Sequence, residues 1–237
     1  MTTPTPTTVD AVQKMGIASL QKQLTTRIQR LHIFRAPKAA PIPDAITAMN
    51  ETTVELLELD EDDGWEDMGL IGSDDAPTWS RDTDTTDLMA IGFRNAVRTD
   101  QTSDVDNLAA TFLERKRAVI ETYDNIDMTG LTPNPQTGEL RWVRPPDAPL
   151  IESRYFAIGQ DGVGADRVWM AKCLTAGVLD SVDDQSWGGD DFTTFPVTLK
   201  GNVDTDLGVS LINYMGGPGV KNQLAAMGFA LSLIHIS

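Results

Sequence analysis

The pattern of hydrophobic and polar positions is clearest just before the middle of the chain, where it predicts three strands in succession. The segment 65–71, bounded by glycines, is predicted to be a short first strand. Residues 85–98 alternate with a period of two, which predicts a second strand whose better buried face runs from Met89 to Val97. The same alternation returns at 108–113 and predicts the third strand.

The period of the pattern changes at residues 116–123. Val119, Ile120 and Tyr123 share one stripe of a helical period, which predicts an amphipathic helix. We expect this helix to pack across the third strand.

Beyond the helix, apolar runs separated by turn signals predict five more strands, at 140–143, 154–158, 167–178, 192–200 and 207–214. Many strands at short spacing with two or three helices indicate a mainly β domain. The predicted fold class is therefore mainly β, a two-sheet β-sandwich or open barrel with a flanking α-helix.

The chain before this domain divides into two parts. Residues 1–8 form a Thr/Pro tract that has nothing to bury, and we expect them to be disordered. Residues 9–52 are interpreted as an N-terminal helix or arm followed by a proline-rich linker. Apolar positions predict the helix at 9–28, although residues 28–35 fit a first strand equally well. The β domain is then expected to span 53–230.

The last seven residues, LSLIHIS at 231–237, match the translation of an adapter used in sequencing libraries. We interpret them as an artefact of sequence assembly and exclude them from the predicted fold.

Composition narrows the classes of function. The formal net charge is −16 and the isoelectric point is near 4.3, which argues against a protein that grips nucleic acid phosphates. No apolar run approaches the roughly 20 residues that span a bilayer. Cys173 is the only cysteine, so a disulfide within one chain is excluded.

The motifs that could carry chemistry are weak. The acidic corner at 60–63 superficially resembles a calcium loop, but its glycine comes fifth rather than sixth, and a solvated acidic turn fits better. The glycine-rich segments at 159–164 and 216–219 lack the spacing of nucleotide-binding loops and are interpreted as turns. We therefore expect no catalytic, cofactor-binding or metal-binding residues, and no enzymatic activity.

Residues 65–123 nevertheless contain a pattern of residues that is typical of a known protein family. It is carried by Trp65, Gly69-Leu70-Ile71 and Asp74-Asp75, then Asp84-Thr85, Ala90, Asn95 and Val97-Arg98, then Thr111-Phe112-Leu113-Glu114, Val119 and Tyr123. Two later segments fit the same pattern, Tyr155-Phe156-Ala157-Ile158 and Phe195-Pro196-Val197-Thr198-Leu199-Lys200-Gly201. Over about residues 53–229 the chain resembles the major tail (tail tube) proteins of long-tailed bacteriophages.

The resemblance implies a structural protein of the virion tail, assembled in the cytoplasm of the host bacterium. In that family six subunits join into a ring, and stacked rings form a tube through which the genome passes. The implied partners are other copies of the chain, a tape measure protein and a tail terminator. DNA would cross the lumen without specific binding, and no membrane is involved.

Within this framework, the polar segment 72–86 is a candidate for contact between successive rings. It contains an aromatic residue and an arginine, which are enriched where interfaces carry their binding energy. The alternative is a plain surface loop with Trp79 folded back on its own sheet. The candidate contact residues are Ser73, Asp74, Asp75, Trp79, Arg81, Asp82 and Asp84.

A second class of function stays open from the sequence. An acidic β-sandwich module that binds a carbohydrate or calcium would share the composition and the strand pattern. Stabilisation of the isolated chain by calcium would favour the binding module, and calcium-independent assembly into tubes would favour the tail protein.

Overall fold

The computed structural model describes residues 21–72, 75–188 and 190–229, and this part of the chain is mainly β. Its ten strands are β1 (Arg30–Pro37), β2 (Thr47–Asn50), β3 (Thr53–Leu56), β4 (Glu66–Asp67), β5 (Thr78–Leu88), β6 (Arg98–Phe112), β7 (Ser153–Asp161), β8 (Val168–Val182), β9 (Phe195–Asn202) and β10 (Leu211–Gly216). The α-helices are α1 (Arg117–Asp124) and α2 (Pro218–Gln223).

Eight of these strands form one antiparallel sheet in the order β4-β1-β7-β8-β9-β6-β5. The remaining member, β10, pairs with the first half of β8, and β9 pairs with its second half. β2 and β3 form a separate two-stranded sheet. Two sheets and a flanking helix confirm the predicted fold class.

The segment around β4 closes the large sheet on itself. At one end, the backbone N–H of Met68 donates to the carbonyl of Ile33 in β1, at 2.9 Å. At the other end, Leu113 donates to Leu70 at 2.9 Å and Gly72 donates to Thr111 at 3.1 Å. These bonds link β1 to the end of β6, so the strands curve around an inner core, which contains Ile33, Met68, Leu108, Phe112, Tyr155, Leu174 and Leu199.

A second core lies on the opposite face of β7 and β8. Phe156 alternates with Tyr155 along β7 and points away from the inner core, as period-two geometry requires. The ring of Trp65 packs edge-on against Phe156, with 5.8 Å between the ring centroids. Ile46, just before the small sheet, belongs to the same cluster.

Helix α1 packs its apolar side onto the inner core. Ala118 and Val119 are buried there. The carboxylate of Glu121 accepts a hydrogen bond from the guanidinium of Arg35 in β1. The helix ends at Asp124. The next residue, Asn125, caps it in a left-handed conformation at φ 51° and donates its backbone N–H to the carbonyl of Glu121.

Several element boundaries differ from the sequence predictions. In the described part of the range 9–28, only a 3₁₀ turn at Lys22–Leu24 is helical, and the chain then runs extended into β1. The main sheet therefore includes β1, which lies within residues 9–52, the segment that the sequence predicted to precede the β domain. The run predicted as one strand at 65–71 contains a two-residue strand and an isolated bridge at Ile71.

Three predictions lie outside the described residues. They are the disorder of 1–8, the greater part of the N-terminal helix, and the artefact at 231–237.

Candidate assembly surface

The most unusual feature of the molecule is a long hairpin formed by β5 and β6, here called the arm (residues 80–106). At its base, β6 also pairs with β9, from Asn107 to Phe112. Beyond Asn107, β5 and β6 pair only with each other, to Leu88 opposite Arg98. Every residue from Ser80 to Thr99 is exposed. At about 3.3 Å per residue, the part of β5 that belongs to the arm spans roughly 30 Å, so the arm projects well away from the two cores.

Polar pairs across the two strands hold the arm together in the absence of burial. Arg81 donates to Asp104 with 2.6 Å between Nε and Oδ1, and this hydrogen bond holds the pKa of Asp104 below its usual range. Three further side-chain hydrogen bonds cross the strands, from Asn107 to Asp82 at 2.7 Å, from Ser103 to Asp84 at 3.0 Å and from Thr99 to Asp87 at 2.6 Å. Cross-strand pairs of this kind stabilise two-stranded sheets.

The end of the arm is apolar and basic. Its turn is closed by backbone hydrogen bonds from Phe93 to Ala90 and from Val97 to Leu88, and Gly92 supplies the left-handed φ of 91°. We call residues 88–98 the tip. Its large apolar side chains are all exposed, by 47% for Leu88, 61% for Met89, 104% for Ile91, 66% for Phe93 and 59% for Val97. Clustered exposed apolar side chains mark interaction surfaces.

The structure corrects the prediction made for 72–86. The described part of this segment is not a loop from residue 78 onwards, because β5 begins at Thr78 and pairs with β6. Ser73 and Asp74 lie outside the described residues, and Asp75 is exposed in the turn before β5. The other predicted contact residues, Trp79, Arg81, Asp82 and Asp84, all lie on β5.

Trp79 has its own place in the fold. It lies opposite Leu108 and packs against the inner core, and the ammonium of Lys172 stands 5.0 Å from its ring centroid. This is the arrangement that the sequence left as the alternative for Trp79. The other predicted contact residues on β5 do not pack on the core. They lie on the exposed arm and make cross-strand hydrogen bonds; these residues are Arg81, Asp82 and Asp84.

The alternation at residues 85–98 predicted one strand with a buried face from Met89 to Val97, and that prediction is wrong. Alternation showed where apolar side chains recur, but it carried no information about whether another element covers them. The sequence therefore showed that the tip is apolar, but it did not show that the tip is exposed.

We expect Trp79→Ala to destabilise the isolated chain by roughly 2 kcal/mol, less than the roughly 3–5 kcal/mol of a fully buried aromatic, because Trp79 is half-buried. Urea unfolding followed by circular dichroism measures the effect. Arg81→Ala is the matched control on the same strand. Arg81→Ala removes one exposed cross-strand pair and no core contact, so it should destabilise the chain clearly less than Trp79→Ala does. Equal destabilisation by the two substitutions would mean that Trp79 does not pack on the inner core.

The acidic corner is organised as a turn. Asp60 accepts backbone hydrogen bonds from Asp62 at its carboxylate and from Asp63 at its carbonyl, and Gly64 adopts a φ of 88°. Among residues 21–72, 75–188 and 190–229, no group of three or more His, Cys, Asp or Glu side chains is arranged to hold a metal ion. No helix in the same residues is long and apolar enough to cross a membrane.

Comparison with known proteins gives only a weak structural similarity. No family model matches the sequence, and no curated protein matches it. Among solved structures, the chain is similar to one chain of the virion of a native gene transfer agent particle, at 8% identity and a TM-score of 0.33, covering 67% of this chain and 92% of that chain. A TM-score of 0.33 lies below the level that indicates a shared fold, so this similarity assigns neither a fold nor a function.

Proposed function

We propose that the protein is a structural subunit of a bacteriophage tail tube, which assembles with copies of itself into rings that stack into a hollow tube. The observation that carries the proposal is the exposed arm. A two-stranded hairpin is marginally stable alone in water, and the tip of this one presents five large apolar side chains to solvent. Both features are accounted for if the arm is covered in an assembly.

Rings and tubes also account for the open edges of the sheet. Among the described residues, β5 pairs on one side only, and β6 beyond Asn107 likewise pairs only with β5. Unpaired edges favour strand addition by another chain. A head-to-tail contact between identical subunits closes into a ring when the rotation between them permits. Six subunits per ring is the number that the family resemblance implies.

The strong negative charge fits passage of DNA. A net charge of −16 repels phosphates, whereas clustered lysine and arginine would hold them. In this proposal the genome crosses the lumen without specific binding, and the chain has no catalytic role. A tape measure protein and a tail terminator would be the other partners, in a virion tail assembled in the bacterial cytoplasm.

The arm is assigned to contact between successive rings. Its length lets the tip reach a neighbouring subunit, and its cross-strand pairs keep it extended. This moves the ring-to-ring contact from the predicted segment 72–86 outwards to the tip, with Arg81, Asp82 and Asp84 in a supporting position on the arm.

Negative-stain electron microscopy and light scattering of the concentrated full chain test the proposal. We expect rings or tubes with a central channel. Ile91→Ser together with Phe93→Ser should abolish tube growth and leave the melting temperature unchanged, because both side chains are exposed in the free chain.

Val163→Ser is the matched control, since Val163 is 74% exposed in the turn between β7 and β8. This variant should still form tubes. An unchanged chain that stays monomeric at every concentration would contradict the proposed function. Full-length tubes from the double tip variant would remove the tip from ring stacking.

A further inference from the structure

A second open apolar surface lies on the outer face of β1 and β7. It is a groove of about 330 Å³ between these strands and the small sheet with the segment that follows it. Its apolar lining includes Phe34, Ile46, Leu56, Leu57, Phe156 and Ile158. Leu57 on its border remains 44% exposed, so the groove is open in the isolated chain.

The groove and the tip agree in size. A cavity of about 150 Å³ is large enough to hold benzene in a protein interior. A groove of about 330 Å³ therefore has room for two side chains of that size. The tip presents Ile91 and Phe93 as its most exposed large apolar residues.

The two surfaces also have opposite charge. The tip contains no acidic residue, although the chain as a whole is at −16. It carries two arginines, of which Arg98 pairs with Asp100 next to the tip and Arg94 lies in the turn. Glu58 lines the groove, and Glu55 and the acidic corner at 60–63 stand next to it in the chain. Complementary charge at an interface orients the partners and suppresses wrong contacts.

Both surfaces are open within one chain, so the tip does not fill the chain's own groove. A contact between the tip of one copy and the groove of another would leave a free groove on the first copy and a free tip on the second. Such heterologous contacts repeat without limit unless the rotation closes them. They therefore suit the open-ended stacking of rings.

We propose that the tip of the arm docks into the groove between β1 and the small sheet of a second copy of this chain, with Ile91 and Phe93 in the groove and Arg94 beside Glu58. This contact rests on the proposed function, because it specifies how one ring binds the next.

Site-directed cross-linking tests the contact. Asn95→Cys places a thiol on the tip and leaves its apolar side chains in place, and Ala45→Cys places one on the lining of the groove. Mixing the two variants with a short bis-maleimide should give covalent heterodimers, and a chain with both changes should give a ladder of oligomers. The native Cys173 should not react with the maleimide, because it is buried and burial raises the pKa of its thiol to about 12.

The matched control pairs Asn95→Cys with Val163→Cys, which is exposed in the turn between β7 and β8. It should give no heterodimer. The docking is wrong if the chain forms tubes but Asn95→Cys cross-links to Val163→Cys, or to neither Val163→Cys nor Ala45→Cys. The proposed tube would still hold in that case. Heterodimers through Ala45→Cys from a chain that never forms tubes would support the docking and contradict the tube.

A charge exchange gives an independent readout. Arg94→Glu should raise the concentration needed for assembly by roughly tenfold or more, because it places like charges together. Arg94→Glu combined with Glu58→Arg should restore assembly towards that of the unchanged chain. Failure of the double variant to recover would contradict the pairing of these two residues.

Discussion

Replacing Glu121 by alanine is expected to cost about 3–5 kcal/mol of folding stability, the usual loss when one member of a buried ion pair is removed. The side chains of Glu121 and Arg35 are only 7% and 13% exposed. Glu121 accepts hydrogen bonds from the Arg35 guanidinium and from the backbone N–H of Met128, at 3.0 Å for the latter. Its loss leaves a buried guanidinium without its carboxylate and removes the ion pair between α1 and β1.

Equilibrium unfolding in urea measures this loss. The control is Glu66→Ala, which removes the carboxylate from an exposed pair with Arg117, whose side chains are 40% and 51% exposed. An exposed pair contributes about 0–1 kcal/mol. Equal effects of the two substitutions would mean that the Arg35–Glu121 pair does not fasten the helix to the sheet. Glu121→Gln should fall between the two, since it keeps hydrogen-bonding atoms and removes the charge.

Replacing Phe112 by alanine is expected to cost about 3–5 kcal/mol, because the side chain is fully buried and its removal leaves a cavity in the inner core. Phe112 ends β6, where it pairs with Phe195 of β9 and bridges to Ile71. The melting temperature should fall by on the order of 10 °C in a chain of this size.

Phe93→Ala is the matched substitution of the same residue type on the same hairpin. Phe93 is 66% exposed at the tip, so its loss should leave the melting temperature within error. If Phe93→Ala lowers the melting temperature as far as Phe112→Ala does, the tip packs on the body of the free chain, and the arm is not the open surface described here.

The two phenylalanines show how far the sequence pattern reaches. Both lie in runs with a period of two that predict a strand, and the face that includes Phe93 was predicted to be buried. Phe112 is buried because it lies in the inner core, which residues of other strands and of α1 complete. Phe93 is exposed because the described structure brings no element to the tip. Periodicity reports the local conformation, whereas burial depends on partners that are distant in the sequence.

The conformation of the predicted contact segment, 72–86, could not be read from local sequence either. Asp82 and Asp84 belong to a run rich in Asp and Thr, which resembles loop composition. They nevertheless lie in a strand, because each accepts a cross-strand hydrogen bond from a residue of β6, Asn107 or Ser103. Polar strands of this kind are supported by pairs that no single run of sequence displays.

The sequence by itself determined the mainly β class, the strands near 154–158 and 167–178, and helix α1, because each has a strong local period. The tertiary structure alone decided that β1 pairs with β7, more than a hundred residues away, and that the segment around β4 closes the sheet. It also decided which apolar runs are covered and which, like the tip and the groove, stay open. These outcomes depend on long-range pairing, which neither local propensity nor periodicity encodes.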